Sequence, residues 1–411
     1  MTRPRKSKSG FDVDVLVIGA GPAGLSLAAA LSGKGLKTLI LERAPEKSLA
    51  QAAEDGRDIA LTHLSRDLLK DLGIWQKIPA KEIAPIREAR VLDGESSFFL
   101  QFLEESAGER STLGYLVPNY LVRRAAYQVV SKLKDVKLQT GAEVKSLSTD
   151  ANAAYVTTAD GRTITARLLV AADSRFSDAR RKMGIATNMR DFGRSVMVCR
   201  MSHLGDHQSI AHECFNYGQT LAVLPLNNNQ SSVVITLSSA RVDELQAMDE
   251  NDFNAMVTRQ FKNRLGPMKR VTPLHTYPLV GVYADHFVAT RFALMGDAAV
   301  GMHPVTAHGF NFGLRGAVCL AEQIEAALET GTDIGAQAVL KKYERIHRQV
   351  TRPLYIATNT LVDLYTNEQK PALAVRKAVL RLGQVLKPAR KLIVGGLTES
   401  RAAHKKKNSG K

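Results

Sequence analysis

Cysteine, tryptophan and long apolar segments are all scarce in this sequence. The 411 residues include three cysteines and one tryptophan. The cysteines, at 199, 214 and 319, are scattered and form no CxxC pair. This spacing argues against a disulfide framework and against a zinc knuckle, and it is typical of a protein from a reducing, cytoplasmic compartment. We therefore expect no metal site.

The sequence also lacks a convincing membrane span. Residues 15–31 carry no charge, but the segment is short for a span and contains three glycines and a proline, which disrupt a helix. The first ten residues, MTRPRKSKSG, are basic and no apolar signal core follows them. We interpret residues 1–10 as a mobile basic tail.

Positive charge is in clear excess. The formal net charge is +16 and the sequence pI is about 9.7. Such a balance fits a solvated basic surface, a nucleic-acid partner or an anionic membrane surface. No zinc-finger, helix-turn-helix or RNP-type aromatic pattern is present, so we expect no nucleic-acid partner. A hydrophobic content of 45% suffices for one large core or for two domains that share an interface.

The first informative motif is a glycine turn near the N-terminus. An apolar run, Val13 to Ile18, leads into Gly19-Ala-Gly21-Pro-Ala-Gly24, an alanine-rich helix to Leu31 and a second apolar strand that ends at Glu42. In a dinucleotide site, the first glycine makes the tight turn, the second lets the backbone approach the pyrophosphate and the third lets helix and strand pack closely. The helix N-terminus attracts the phosphates, and the acid accepts hydrogen bonds from ribose hydroxyls. The unit predicts a dinucleotide site for FAD or NAD.

The form of this turn favours FAD. The sequence contains no second strand–GxGxxG–helix unit that would build a separate nicotinamide domain. The Gly-Pro-Ala-Gly version, followed by Glu42-Arg43, is similar to the FAD sites of flavoprotein hydroxylases.

A second loop would then hold the other end of the flavin. The apolar run Phe292 to Met295 precedes Gly296-Asp297-Ala-Ala, and Asp297 would bond a ribityl hydroxyl. The loop from Gly301 to Gly309 would bend beneath the ring, and a helix is predicted from near Phe310 to Leu328. Its N-terminus would stabilise negative charge on the reduced flavin. An N-capping role for Asp297 is disfavoured because the residue lies too far before the helix.

Taken together, these motifs resemble those of the single-component FAD-dependent aromatic hydroxylases with the p-hydroxybenzoate hydroxylase fold. A third motif, Ala172-Asp173-Ser-Arg-Phe-Ser177, lies between the two loops, with Ser174 where the family usually has glycine. Within that fold the sequence is most similar to the ubiquinone-biosynthesis ring hydroxylases, over roughly residues 11 to 400. The segments that carry this likeness are IALTHLSR at 59–66, LPL at 224–226, YPL at 277–279, HP at 303–304 and GFNFG at 309–313.

The resemblance implies roles for individual side chains. Arg57 and Arg123 would lie against the flavin or its phosphates, with a surface salt bridge as the less favoured alternative for Arg57. His303 and His308 are the nearby groups suited to act as a general base, and each is equally compatible with a loop hydrogen bond. The expected catalytic residues are His303, Pro304 and His308. The expected cofactor-binding residues are Gly19, Gly21, Gly24, Glu42, Arg43, Arg57, Arg123, Asp173, Gly296, Asp297, Gly309 and Asn311.

The expected fold class is α/β, with a Rossmann-like FAD-binding domain, an inserted antiparallel-sheet substrate domain and C-terminal helices. The FAD-binding domain would comprise residues 11–80, 115–185 and 285–335. The substrate domain would comprise 81–114 and 186–284, where alternating strands at 195–200, 220–224 and 232–237 predict a half-exposed antiparallel sheet. A basic helical region would follow at 336–400, and residues 401–411 would form a second mobile tail.

The function implied by the resemblance is FAD-dependent hydroxylation of the aromatic ring of a prenylated ubiquinone precursor, through a flavin C4a-hydroperoxide formed with O2. NAD(P)H or another reductant would supply the electrons. Two alternatives stay open: a flavin reductase of prenyl chains on the same fold, and a flavin-carrying structural subunit of a membrane-associated biosynthetic complex. The protein would be cytoplasmic. The C-terminal segment is either an ordinary docking helix or a basic amphipathic contact to the inner face of the membrane.

Overall fold

A computed structural model describes residues 10–93, 99–103, 112–216, 218–303 and 308–366. The strands are β1 (Val13–Ile18), β2 (Thr38–Glu42), β3 (Asp58–Leu61), β4 (Ala84–Ile86), β5 (Glu88–Asp93), β6 (Phe99–Leu103), β7 (Gly114–Pro118), β8 (Val136–Thr140), β9 (Val144–Thr149), β10 (Ala154–Thr158), β11 (Thr163–Ala171), β12 (Thr187–Ser202), β13 (Ile210–Asn216), β14 (Gln219–Leu226), β15 (Gln230–Ser238), β16 (Lys269–Arg270), β17 (His275–Ala284), β18 (Val288–Ala289), β19 (Phe292–Leu294) and β20 (Val300–Gly301). The α-helices are α1 (Pro22–Leu31), α2 (Lys47–Ala50), α3 (His63–Asp71), α4 (Asn119–Val130), α5 (Asp178–Lys182), α6 (Val242–Gln246), α7 (Glu250–Gln260), α8 (Gly309–Glu329) and α9 (Gln337–Thr366).

The first sheet places the glycine turn at the end of its central strand. Its strand order is β18-β19-β11-β1-β2-β8, and β1 pairs in parallel with both β2 and β11. Strands β9 and β10 extend the sheet from β11 as an antiparallel meander. The predicted buried parallel strand is confirmed, because Val15, Leu16 and Val17 are fully buried. The carboxyl ends of β1 and β19 therefore lie at the same edge of the sheet, where ligands of open α/β sheets bind.

The second sheet is mostly antiparallel, as predicted. Its order is β20-β17-β12-β15-β14-β13-β5-β6, with β5 parallel to β13 and β16 attached to β12. Asn228 and Asn229 adopt left-handed backbone angles in the turn between β14 and β15. The prediction that the sheet is half-exposed was wrong for its central strands. The middle of β12 and most of β15 are buried, because helix α7 covers one face and the segment of Gly56 and Asp58 approaches the other.

A small third sheet connects these two parts. Strand β7 pairs antiparallel with β3 on one side and with β4 on the other. Strand β4 thus joins β7 rather than the second sheet, although its residues lie in the segment we expected to belong wholly to the substrate domain.

The C-terminal part of the described chain is helical. Helix α8 covers the predicted range from near Phe310 to Leu328 and begins one residue earlier, at Gly309. Helix α9 packs along it and contains Pro353 within its length. Among the described helices, none combines the length and the apolar character needed to cross a bilayer. The basic segment beyond residue 366, where the amphipathic C-terminal helix was predicted, lies outside the described residues.

Candidate active site

The three glycines of the first turn occupy distinct environments. Gly19 has a φ of +103°, and a Cβ there would lie 2.5 Å from the carbonyl oxygen of Ala172. A Cβ on Gly24 would overlap the carbonyl oxygen of Gly19, so this glycine lets α1 pack against β1. Around Gly21, in contrast, no described protein atom lies within 4 Å of the Cβ position. The turn is closed on the protein side and open where a pyrophosphate would approach.

Glu42 ends β2 beside this turn, as the motif predicted. Its two carboxylate oxygens accept hydrogen bonds from the backbone N–H of Ala20, at 2.7 Å, and of Ala44, at 2.8 Å. A carboxylate offers about four acceptor positions, so these two bonds leave capacity for ribose hydroxyls. The neighbouring Arg43 is exposed.

The predicted flavin-side arginines lie near the junction of the first and second sheets. Arg57 pairs with Asp55 at 2.6 Å, and its guanidinium lies 5.1 Å from the ring centre of Tyr277 on β17. Arg123 is half-buried on α4. The adjacent Arg124 is also half-buried and donates to the carbonyl of Ala52.

The second loop begins where β19 ends, as predicted. Gly296 has a φ of +59° and starts a short 3-10 turn that carries Asp297. The side chain of Asp297 is 39% exposed, which leaves it accessible to a ligand. Helix α8 begins at Gly309, twelve positions later in the numbering, so an N-capping role for Asp297 is ruled out.

Two arginines that the motif analysis did not single out hold this loop. Arg175 donates to Asp297 Oδ2 at 3.1 Å and to the carbonyl of Val280 at 2.7 Å. Arg180, only 2% exposed, donates to the carbonyl of Ala298 at 2.7 Å and to that of Arg175 at 3.2 Å. Burial lowers the pKa of Arg180, and the Asp173 carboxylate partly opposes that effect. Arg175 lies within the Asp173 motif and Arg180 follows it closely, but sequence spacing marks neither arginine as a partner of residues more than 100 positions away.

Asp173 itself organises the backbone that carries these arginines. Its carboxylate accepts from the Ser177 hydroxyl at 2.5 Å and from the Ala179 N–H at 3.0 Å. Ser174 has a φ of +97°, a backbone conformation that favours glycine. Serine is therefore strained at a position where glycine would fit without strain.

The two candidate histidines differ in their surroundings. His303 is 6% exposed, and its ring packs edge-on against Phe192 with the ring centres 5.0 Å apart. Burial lowers the pKa of His303 to about 4, with further lowering by Arg175, Arg194 and Arg190. The imidazole is therefore neutral at neutral pH. His308 precedes α8 and its ring lies 5.5 Å from that of Phe312.

Other predicted residues lie around the start of α8. Gly309 is the first residue of the helix, and no described atom lies within 4 Å of its Cβ position. The Asn311 side chain accepts from the Thr62 N–H at 3.1 Å and donates to the carbonyl of Ala60 at 2.9 Å. Asn311 thus ties α8 to the β3–α3 connection. Pro304 lies outside the described residues.

An apolar surface of the second sheet faces this loop. We call it the inner patch; it consists of Phe192, Val196, Val198, Val234, Tyr277 and Leu279. Phe192 contacts His303, and the Tyr277 hydroxyl donates to the carbonyl of Asp55 at 2.6 Å. The inner patch therefore connects the loop at His303 with the segment that carries Arg57.

The arrangement fits FAD. The open position at Gly21, the acid at Glu42 and the exposed Asp297 lie along one edge of the first sheet, on loops that follow β1, β2 and β19. These are the donor and acceptor types that a pyrophosphate, a ribose and a ribityl chain require.

Comparisons with known proteins support this assignment. A family model described as an FAD binding domain matches residues 12–356. The ubiquinone hydroxylase UbiM of Neisseria meningitidis serogroup C is 49% identical over 388 residues, which are 94% of this chain and 84% of that protein. The chain belongs to the FAD-dependent hydroxylases of ubiquinone biosynthesis.

Two further proteins sharpen the comparison. The ubiquinone hydroxylase UbiL of Rhodospirillum rubrum is 36% identical to this hydroxylase over 90% of the chain and 86% of that protein. The crystal structure of PqsL, a probable FAD-dependent monooxygenase from Pseudomonas aeruginosa, has a TM-score of 0.74 and covers 88% of this chain and 98% of its own. Its sequence identity of 18% shows a shared fold only. The hydroxylase is thus an FAD-dependent monooxygenase, and the predicted family, fold class and cofactor are confirmed.

Proposed function

We propose that this hydroxylase oxygenates the aromatic ring of a prenylated ubiquinone precursor. The observation that carries the proposal is the position of the inner patch, whose apolar side chains lie between the loop at His303 and the segment of Arg57. An aromatic ring with an apolar tail is complementary to such a surface. The names of the relatives, ubiquinone hydroxylases in two bacteria, support the same substrate class.

Each part of the site would have a separate task. Gly19, Gly21, Gly24 and Glu42 would hold the adenosine and pyrophosphate end of FAD, and Asp297 would hold the ribityl chain. Bound FAD supplies the activation of O2, with electrons from NAD(P)H or another reductant. The inner patch would orient the ring and exclude water from it.

We assign the same discontinuous FAD-binding part as the sequence analysis, residues 11–80, 115–185 and 285–335, because these ranges contribute the strands of the first sheet and both loops. Residues 81–114 and 186–284 would form most of the substrate-facing part, which contains the inner patch.

Deleting the gene and identifying the accumulated quinone intermediate by mass spectrometry tests the proposal. We expect a prenylated intermediate that lacks one ring hydroxyl. Accumulation of an intermediate with a complete ring and an unsaturated, unreduced tail would favour a prenyl reductase instead. A flavin-carrying scaffold would contain FAD but show no O2 consumption that depends on substrate.

We further propose that the hydroxylase binds peripherally to anionic membranes, because its substrate would reside in the bilayer. The outward side of α9 supports this proposal: Lys341, Lys342, Arg345 and Arg352 are exposed there, and Ile356 is an exposed apolar residue, 55% accessible. The chain continues from α9 into a segment rich in lysine and arginine. Each cation near an anionic surface contributes about 1 kcal/mol of binding free energy.

Vesicle sedimentation tests the membrane proposal. The protein should co-sediment with vesicles that contain anionic lipid at low salt and should be released at high salt, because salt screens the attraction. Deleting residues 371–411 should weaken the binding in a protein that retains FAD. Equal sedimentation of the full-length and shortened proteins would contradict a membrane role for that segment.

A further inference from the structure

Glu213 lies on the substrate-facing side of the second sheet. Side chains alternate along β13, and the ring of His212 packs against Phe261, which follows α7, with the ring centres 5.1 Å apart. Cys214 also belongs to the core that α7 covers. Residues two positions apart on a strand point to the same side, so His212 and Cys214 both face α7 and Glu213, between them, faces the opposite side.

The strand register leads to the same placement. Glu213 lies directly opposite Ala222 on β14, and Ala222 lies directly opposite Val234 on β15. Directly opposed residues of antiparallel strands share one face of the sheet. Val234 belongs to the inner patch, so Glu213 is on the same face of the sheet as the inner patch.

The surroundings of Glu213 are mostly apolar. Its neighbours in register are Ala222 on β14 and Val91 on β5. The Thr220 hydroxyl is hydrogen-bonded to its carboxyl group. Burial raises the pKa of Glu213 to about 7, and the bond to Thr220 opposes the rise only in part. The Glu213 residue is half-buried, so part of it remains accessible to a ligand.

Partial burial of a carboxyl group among apolar neighbours costs free energy unless the group is hydrogen-bonded. A carboxylate has about four acceptor positions, and one hydroxyl partner uses one of them. The remaining capacity suits a hydroxyl group on a ring that rests against the same face of the sheet. A ring ether of similar shape offers no donor, so above the pKa of Glu213 its binding would leave the carboxylate without that partner.

We propose that Glu213 is a specificity-determining residue that accepts a hydrogen bond from a hydroxyl group of the aromatic substrate and so selects phenols over their ethers. The inference rests on the proposed function, because it takes an aromatic ring on the inner patch as the substrate. It adds the polar contact by which that apolar surface would distinguish one substituted ring from another.

The test compares, at a pH above the pKa of Glu213, the binding of 2-allylphenol and of its methyl ether, 2-allylanisole, to the FAD-loaded protein. Binding is followed by the change in flavin absorbance, and the wild type is compared with Glu213→Gln, Glu213→Leu and the surface control Glu244→Leu. We expect the wild type and the control to bind the phenol at least about tenfold more tightly than the ether. Glu213→Gln should retain most of this preference through its amide oxygen, and Glu213→Leu should lose it.

Each contrary result has a separate meaning. Equal binding of phenol and ether by the wild type would overturn the role of Glu213 and leave the proposed function intact. A preference that survives in Glu213→Leu would also overturn it. Failure of the wild type to bind either compound would overturn both the inference and the proposed substrate class. If Glu213→Leu does not fold, equal binding of phenol and ether by the wild type still overturns the inference.

Discussion

The two ends of the FAD site are built by different means. At the first turn, backbone packs on backbone: Gly24 lies against Gly19, and Gly19 lies against Ala172. At the second loop, arginine side chains hold the backbone: Arg175 bonds Asp297, and Arg180 bonds the carbonyl of Ala298. The first end depends on glycines, which have no side chain at the close contacts. The second end depends on the side chains of two arginines.

This difference determines how each end should respond to substitution. Adding a methyl group at the first turn creates overlap, which the close-packed backbone cannot relieve cheaply. Removing a side chain at the second loop leaves carbonyl groups without their donors. Substitutions at the two ends therefore distinguish overlap at the first turn from loss of hydrogen bonds at the second loop.

The largest effect is expected for Gly24→Ala. Its methyl group would overlap the carbonyl oxygen of Gly19, so the free energy of unfolding of the apoprotein should fall by about 3 kcal/mol. Gly21→Ala is the matched control: no described atom lies within 4 Å of its Cβ position, so apoprotein stability should hold while FAD affinity falls. Urea unfolding and FAD titration measure the two quantities. Equal loss of stability in both variants would contradict the separate roles of the two glycines.

The next effect is expected for Arg180→Met, which keeps most of the side-chain volume. Loss of the bond to the Ala298 carbonyl should lower the free energy of unfolding by about 2 kcal/mol. Arg181→Met is the control, because the Arg181 side chain is 61% exposed; it should change stability by less than about 0.5 kcal/mol. Urea unfolding of the two variants measures the difference. An Arg180→Met protein as stable as the Arg181→Met control would refute the role of Arg180 in holding the second loop.

Asp297→Ala tests the second loop as a cofactor site. Loss of the bond to the ribityl chain should weaken FAD binding at least tenfold, or about 1.4 kcal/mol. Asp297→Asn retains an oxygen acceptor and should lose less. FAD titration of the apoproteins by fluorescence measures both affinities. An unchanged affinity in Asp297→Ala would mean that this loop does not hold the flavin.

The smallest effect is expected for Ser174→Gly, and it is stabilising. Glycine adopts the φ of +97° without the penalty that serine incurs, so the free energy of unfolding should rise by about 1 kcal/mol. Ser174→Ala retains the Cβ and should bring no gain. Thermal unfolding of the two variants provides the measurement. A gain of similar size in Ser174→Ala would show that the backbone angle is not the cause.

The first end of the site was predictable from sequence because its determinants are local. The strand, the three glycines, the helix and Glu42 follow one another within thirty positions, and the structure has β1, α1 and β2 in that order. The strand before Asp297 and the helix from Gly309 were predictable for the same reason: each is a continuous pattern with a clear beginning.

The arginine contacts that hold the second loop were not predictable, because they join positions far apart in the sequence. Arg175 and Asp297 are 122 positions apart, and Arg180 and Ala298 are 118 apart. Nothing in the local pattern marks either arginine as buried. The placement of Glu213 likewise depends on the pairing of β13 with β14 and β15, which fixes the face to which its side chain points.

A single turnover under 18O2 tests the central claim most directly. The FAD-loaded protein would be reduced, mixed with a short-chain prenylated phenol and exposed to labelled oxygen, and the product analysed by mass spectrometry. The account predicts that one 18O atom appears in a new ring hydroxyl group. A product without the label, or oxygen consumption that yields only hydrogen peroxide, would contradict the assignment of this protein as a ring hydroxylase.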